Sequence, residues 1–192
     1  QFHAGLQYVA LQRERDGESF RDFYQRQDAK AASGELHQEP GFLEPPFKLS
    51  DNRAESERAL VVMFEQPVCA ACDELHQDIL RRDPVALALT NLDAAVVNTY
   101  SKDTIQTPDG RDMPIRDWAA ELGINYTPSL VFFDTEGEEV FRTDGDLKAF
   151  HIHGLLDYVA TGAYAHQPNF QRWLQHRTDA LHARGIDYDL MR

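Results

Sequence analysis

The stretch Phe64-Glu65-Gln66-Pro67-Val68-Cys69-Ala70-Ala71-Cys72-Asp73-Glu74-Leu75 decides the fold, because an apolar run ends there and the chain's two cysteines open a segment of helical spacing. Leu60, Val61, Val62, Met63 and Phe64 are continuously apolar and rich in branched side chains, the pattern of a short strand buried on both faces by helices. Pro67 breaks that run. From Cys72 onward Leu75, Ile79 and Leu80 recur at helical spacing, while Asp73, Glu74, Gln77 and Asp78 take the other face. Cys69 is therefore expected exposed at the helix N-terminus, with Cys72 pointing inward a turn further on. Such a pair suits disulfide exchange: the outer thiol attacks a substrate disulfide and the inner one resolves the mixed disulfide. A strand, a cysteine pair spaced by two residues and a helix form a redox motif with a mechanism.

Composition bounds what surrounds this motif. A chain of 192 residues holds one ordinary domain with a buried core and decorated ends. Hydrophobic residues at 42% and charged residues at 27% match a globular chain, and no run is long enough to span a bilayer, so no membrane insertion is expected. Acidic residues outnumber basic ones 32 to 19, and the formal charge of -13 opposes binding to phosphate backbones, so nucleic acid is excluded as a partner. The chain opens on Gln1, which fits a secreted protein whose signal peptide has been removed and equally a trimmed chain.

Working outward, residues 1–30 have an amphipathic pattern that fits one or two helices, and the breakers Ser33-Gly34, Pro40-Gly41 and Pro45-Pro46 mark a connection before a compact domain that starts near Phe47. Ser50 and Asp51 are expected to cap a helix running through Arg58. The cysteine helix should stop near Arg81-Arg82, before Pro84. Residues 94–97 read as a second strand, and 98–114 as a long polar excursion with a turn at Pro108-Asp109-Gly110. A short helix over Ile115, Trp118, Ala119 and Leu122 follows, started by Pro114 and stopped by Gly123. Thr127-Pro128 then precedes a third strand at 130–133, which the turn Thr135-Glu136-Gly137 folds back antiparallel onto 139–141. Helical spacing returns at 147–159 and from Pro168 to Arg184, with Phe170, Trp173, Leu174, Arg177 and Leu181 on one side of the last helix.

This order, with Thr-Pro before the third strand, resembles a thioredoxin fold over residues 60–164: an α/β architecture with a central mixed β-sheet flanked by helices, here with N-terminal and C-terminal helical extensions. The expected division is an extension and linker over 1–46, a thioredoxin-like domain over 47–165 and a C-terminal helical extension over 166–192 packed on that domain. Phe64-Glu65-Gln66, Phe132-Phe133-Asp134 with Gly137, Tyr158-Val159 with Gly162-Ala163-Tyr164, and Asn169-Phe170-Gln171 resemble the SoxW-type periplasmic thioredoxins associated with sulfur oxidation. The resemblance implies a periplasmic or secreted thiol-disulfide oxidoreductase without a bound cofactor, in which Cys69 is the nucleophile and Cys72 the resolving thiol. It also implies a cis Pro128 beside the cysteines and a Thr127 backbone that pairs with substrate. Departures from ordinary thioredoxin are Val68 in place of tryptophan, Ala70-Ala71 in place of Gly-Pro, and Met63 where a buried aspartate is usual.

Other readings compete at individual residues. Glu65 can serve as acid/base for Cys72, although a carboxylate at a strand end is more commonly solvated. Cys69, Cys72 and His76 form an alternative metal-binding or metal-delivery set, with Cys72 and His76 four residues apart. His151 and His153 point different ways on a helix and read as surface residues. The polar excursion and the N-terminal segment are expected to shape partner choice and not the thiol chemistry. Between Glu65 and Leu80 there is no lysine or arginine, while Glu65, Asp73, Glu74 and Asp78 disfavour a thiolate. The dithiol is accordingly expected to be a reductant of protein disulfides, re-reduced by a membrane-borne electron donor.

Overall fold

Strand β1 (Leu60–Glu65) is buried at every position and forms the middle of the molecule. The computed structural model describes residues 2–145 and 148–185, with side chains at all of these except 2–4 and 27–31. Beside β1 lies β2 (Asp93–Asn98), parallel to it, and on its other edge β5 (Ser129–Phe133), antiparallel. With β6 (Glu139–Asp144) antiparallel to β5, the four-stranded mixed sheet has the order β2-β1-β5-β6. A parallel neighbour requires a crossover, and the cysteine helix supplies it.

Alternation along β1 sends its side chains into two cores. Leu60, Val62 and Phe64 join Phe47, Leu49, Ile105, Ile115 and Trp118 on one face. Val61 and Met63 join Leu75, Ile79, Leu155 and Tyr158 on the other. Helix α6 (Ile115–Glu121), with Pro114 as its N-cap, covers the first face, and Trp118 packs 5.1 Å from the Phe64 ring and 6.0 Å from Phe133. The second face is covered by α4 (Ala70–Glu74) and by α7 (Ala149–Ala160).

Several elements depart from the sequence reading. The cysteine helix continues beyond α4 as a π turn, Leu75–Ile79, in which the Leu80 amide donates to the Leu75 carbonyl at 2.8 Å. The wider turn lets the neighbours Leu75 and His76 both turn inward. Helix α5 (Asp83–Leu89) occupies a stretch that the sequence left unassigned, since only Val85 and Ala88 of its seven residues are buried and the apolar signal is weak. The excursion 98–114 holds a small hairpin, β3 (Thr104–Gln106) against β4 (Asp112–Pro114), anchored by the fully buried Ile105. The hairpin is also pinned across the chain: Gly137, at φ +87°, brings its Cα so close to Pro108 that a Cβ would lie 2.8 Å from the Pro108 carbonyl oxygen. Helix α3 (Leu49–Glu55) is entered through Lys48 without a side-chain cap and ends at Ser56, so Ser50 and Asp51 lie inside it rather than capping it.

At the ends, α1 (Phe2–Ala10) and α2 (Phe20–Ala31) pair through Tyr8, whose ring packs edge-on against Phe20 and Phe23 at 5.4 and 5.5 Å. Helix α8 (Phe170–Ala183), capped by the Asn169 side chain, sets Phe170 and Trp173 each 5.2 Å from Tyr158 of α7. Of the residues expected on its inner side, Leu174 is buried and Trp173 partly so. Among the described residues no helix is long and apolar enough to cross a membrane.

Candidate active site

Chain direction places the cysteines at the C-terminal end of β1. The strand ends at Glu65, a short loop follows, and Cys69 is the N-cap of α4 with extended backbone. Its sulfur accepts a hydrogen bond from the Cys72 amide at 3.1 Å, so it sits against the unsatisfied amides of the helix start, where a thiolate is favoured. Cys69 and Cys72 are joined in a disulfide, and the described residues include no other cysteine. Ser129 pairs with Phe64, which brings the preceding Thr127-Pro128 bond to the same end of the sheet, and that bond is cis. Pro128 is buried and Thr127 half-exposed. Flanking this end are the exposed apolar side chains of Val68 and Tyr126.

Cys69 is not the exposed thiol that the helical pattern predicts: the residue is 2% accessible, about as buried as Cys72 at 1%. Helix periodicity describes only how a helix meets its own sheet, and here further chain lies on the helix. Helix α2 lies against α4, and the segment after it is hydrogen-bonded to the cysteine helix.

Residues 33–39 of the N-terminal segment, expected to stand apart from the cysteine helix, supply side chains to a polar cluster on it, at Asp73 and His76. The Ser33 amide and hydroxyl donate to Asp73 at 2.6 and 2.7 Å, and His37 Nε2 lies 2.6 Å from the same carboxylate. Burial pushes the Asp73 carboxyl up, but the bonds from Ser33 and His37 outweigh it and hold the group below its ordinary value. The His37 ring stacks on His76 at 4.7 Å, and Phe42 meets His76 edge-on at 6.3 Å.

Glu65 overturns the third expectation. It is not solvated but fully buried, because α4 and its π turn close over the end of the strand. Its position two residues beyond Met63 puts it on the sheet face that carries Leu75 and Ile79. Its Oε1 lies 2.9 Å from Nε2 of His76, itself fully buried, and the other imidazole nitrogen lies 3.3 Å from Glu39 Oε1. Oε2 of Glu65 is buried without a hydrogen-bond partner among the described residues. His76 thus turns to two carboxylates, and the geometry lends no support to its serving as a third ligand beside the cysteines. Among the described residues no group of three His, Cys, Asp or Glu side chains is arranged to hold a metal ion. His76 was visible in the sequence from its spacing to Cys72, but Ser33, His37 and Glu39 carried no signal, since they lie in a connecting stretch more than thirty residues before their partners. His151 and His153 are half-buried, and His153 lies 3.5 Å from Asp157, far along α7 from the cysteines in sequence.

The arrangement offers a disulfide that can open to a dithiol, with one sulfur at a helix start and a buried carboxylate, Glu65, at the end of the preceding strand. Comparison with known proteins agrees in fold. No curated protein matches the sequence. Among solved structures, a thioredoxin-fold protein from Helicobacter pylori superposes with a TM-score of 0.56 at 15% identity, over 79% of this chain and 94% of its own. A DsbH oxidoreductase (TM-score 0.38, 17% identity, 60% of this chain and 84% of its own) and a thioredoxin from Thermus thermophilus (0.45, 22%, 63% and 94%) are more distant. The profile of the thioredoxin-like domain matches residues 47–160, well over half of the chain, and with the mixed sheet and the cysteine pair at its end the chain belongs to the thioredoxin-like family.

Proposed function

We propose that the protein is a periplasmic thiol-disulfide oxidoreductase of the SoxW type that reduces disulfides in other proteins and is itself re-reduced by a membrane-borne electron donor. The observation that carries the exchange chemistry is the Cys69–Cys72 disulfide at the start of α4, at the end of the sheet that also bears the cis Thr127-Pro128 bond. In this reading Cys69 attacks the substrate disulfide, the Thr127 backbone pairs with the substrate chain, and Cys72 resolves the mixed disulfide. Glu65, buried on the α4 side of the sheet with an oxygen that has no partner among the described residues, takes the place of the acid that Met63 does not provide and accepts the Cys72 proton.

The reductant direction rests on charge. A strong oxidant of this fold has its dithiol form stabilised by a low cysteine pKa. Here Asp73, Glu65 and Glu39 are clustered on and beside the cysteine helix, and the groups that face them, His37 and His76, are already committed to those carboxylates. Additional negative charge disfavours a thiolate, so the disulfide is the more stable form. Equilibration with dithiothreitol or glutathione buffers should give a potential near about -270 mV. A value above about -180 mV would overturn the reductant assignment and leave the exchange chemistry standing.

A further inference from the structure

Removing a proton from Cys72 is only half of the proton problem, because Glu65 has no route to water of its own. The structure assigns that route to His76 and Glu39: we infer that a hydrogen-bonded chain, Glu65 to His76 to Glu39, carries the resolving thiol's proton to solvent, so that the N-terminal segment completes the redox centre. The inference rests on the exchange reading above. Glu65 and the His76 side chain are 0% exposed, whereas the Glu39 side chain is 26% exposed, so the chain runs from the interior to the surface. At its outer end Glu39 lines a cleft of about 320 Å³ together with Phe42, Leu80 and Arg81, which gives water access to the carboxylate. At the inner end, Glu65 Oε2 is buried and lacks a partner among the described residues, which leaves it able to take up a proton.

The proton count closes. In the dithiol form of this scheme His76 donates from both ring nitrogens, Nε2 to Glu65 and Nδ1 to Glu39, as an imidazolium between two carboxylates. When Cys72 gives its proton to Glu65 Oε2, the imidazolium loses one of its two anionic partners and passes its Nδ1 proton to Glu39, which releases it to water. The Cys72 thiolate then attacks Cys69 Sγ of the mixed disulfide: the Cys69–Cys72 bond forms, the bond from Cys69 to the substrate sulfur breaks, and the substrate leaves as thiolate. On reduction of the disulfide the same steps run in reverse, and Cys72 recovers its proton from Glu65. The charged and titratable groups around His76 are Glu65 from β1, Asp73 from α4, and His37 and Glu39 from the N-terminal segment. Outside them lies the exposed pair of Lys148 with Glu74.

Ellman's reagent, the aromatic disulfide that releases yellow TNB, separates the two thiols when mixed rapidly with the reduced full-length protein. The first TNB reports attack by Cys69 and the second reports resolution by Cys72. The conservative variant E39Q keeps the shape of the outer end; it should leave the first phase unchanged and slow the second about 10²-fold near neutral pH. Free imidazole should restore that phase, and the difference should narrow as pH rises, because hydroxide then takes the thiol proton without the relay. E65Q should behave alike but without rescue by imidazole, since that end is sealed from solvent. An E39Q second phase equal to wild type would overturn the relay, and if E65Q alone were slow, Glu65 would remain the base with another proton exit. Equal slowing of both phases at every pH would mark a structural role and overturn it too. Wild-type protein that released no TNB would remove the exchange reading and the relay together.

Discussion

The two faces of β1 are built from alternate residues of one six-residue strand and do different things. Leu60, Val62 and Phe64 enter a core that is apolar throughout, closed by Trp118, Ile105 and Phe47. Val61 and Met63 begin the other face in the same way, but its last member is Glu65, which opens a cluster of carboxylates and imidazoles under the cysteine helix. Burying those groups costs stability unless each is paired, whereas burying Phe64 and Trp118 stabilises directly. One face is held by apolar packing alone, and the other buries a carboxylate–imidazole cluster whose partners must neutralise one another by hydrogen bonding.

The largest expected effect lies at the polar end. Cys69→Ser should abolish dithiol-dependent reduction of a model protein disulfide, while Cys72→Ser should still form mixed disulfides and release them slowly. Full activity of Cys69→Ser, followed by turbidity of a reduced substrate, would break the division at its root.

On the apolar face, Trp118→Ala should cost about 3–5 kcal/mol in denaturant unfolding, because a fully packed ring between Phe64 and Phe133 leaves a cavity. The two TNB phases of the folded fraction should keep their wild-type rates. A changed ratio of those phases would show that the two faces are not separate.

The smallest effect concerns the hold of the N-terminal segment on the cysteine helix. The Asp73 carboxyl is held below its ordinary value in the folded protein, so its bonds to Ser33 and His37 add stability above the unfolded value of about 3.9 and lose it as pH falls through the lower folded value. Amide hydrogen exchange at Ser33, whose N–H donates to Asp73, should therefore stay protected from neutral pH to about pH 4 and lose protection below it. Asp73→Asn should flatten that dependence, and a variant that kept the wild-type acid profile would show that the segment is held elsewhere.

Much of this was readable in the chain. A continuous apolar run, two cysteines at helical spacing and a Thr-Pro before the next apolar run each follow from local patterning, and the structure has β1, α4 and β5 at those places with Thr127-Pro128 cis. The turn back onto 139–141 was equally local, since Gly137 at positive φ is what it requires, and β6 runs on to Asp144. Short elements failed: α5 and the β3–β4 hairpin each bury too few side chains for a period to emerge.

What the sequence alone determined is the order of the four main strands and the longer helices and the position of the dithiol, because backbone geometry, side-chain alternation and turn chemistry act between near neighbours. Only the tertiary structure decided the surroundings of that dithiol: that Cys69 is covered, that Glu65 is buried, and that Ser33, His37 and Glu39 reach Asp73 and His76. The physical reason is that a lone carboxylate at a strand end is most stable in water, and it becomes tolerable in the interior only when distant chain folds back to supply its hydrogen-bond partner's other contacts. No periodicity encodes such an approach; it exists only once α2 and the segment after it have closed over the cysteine helix.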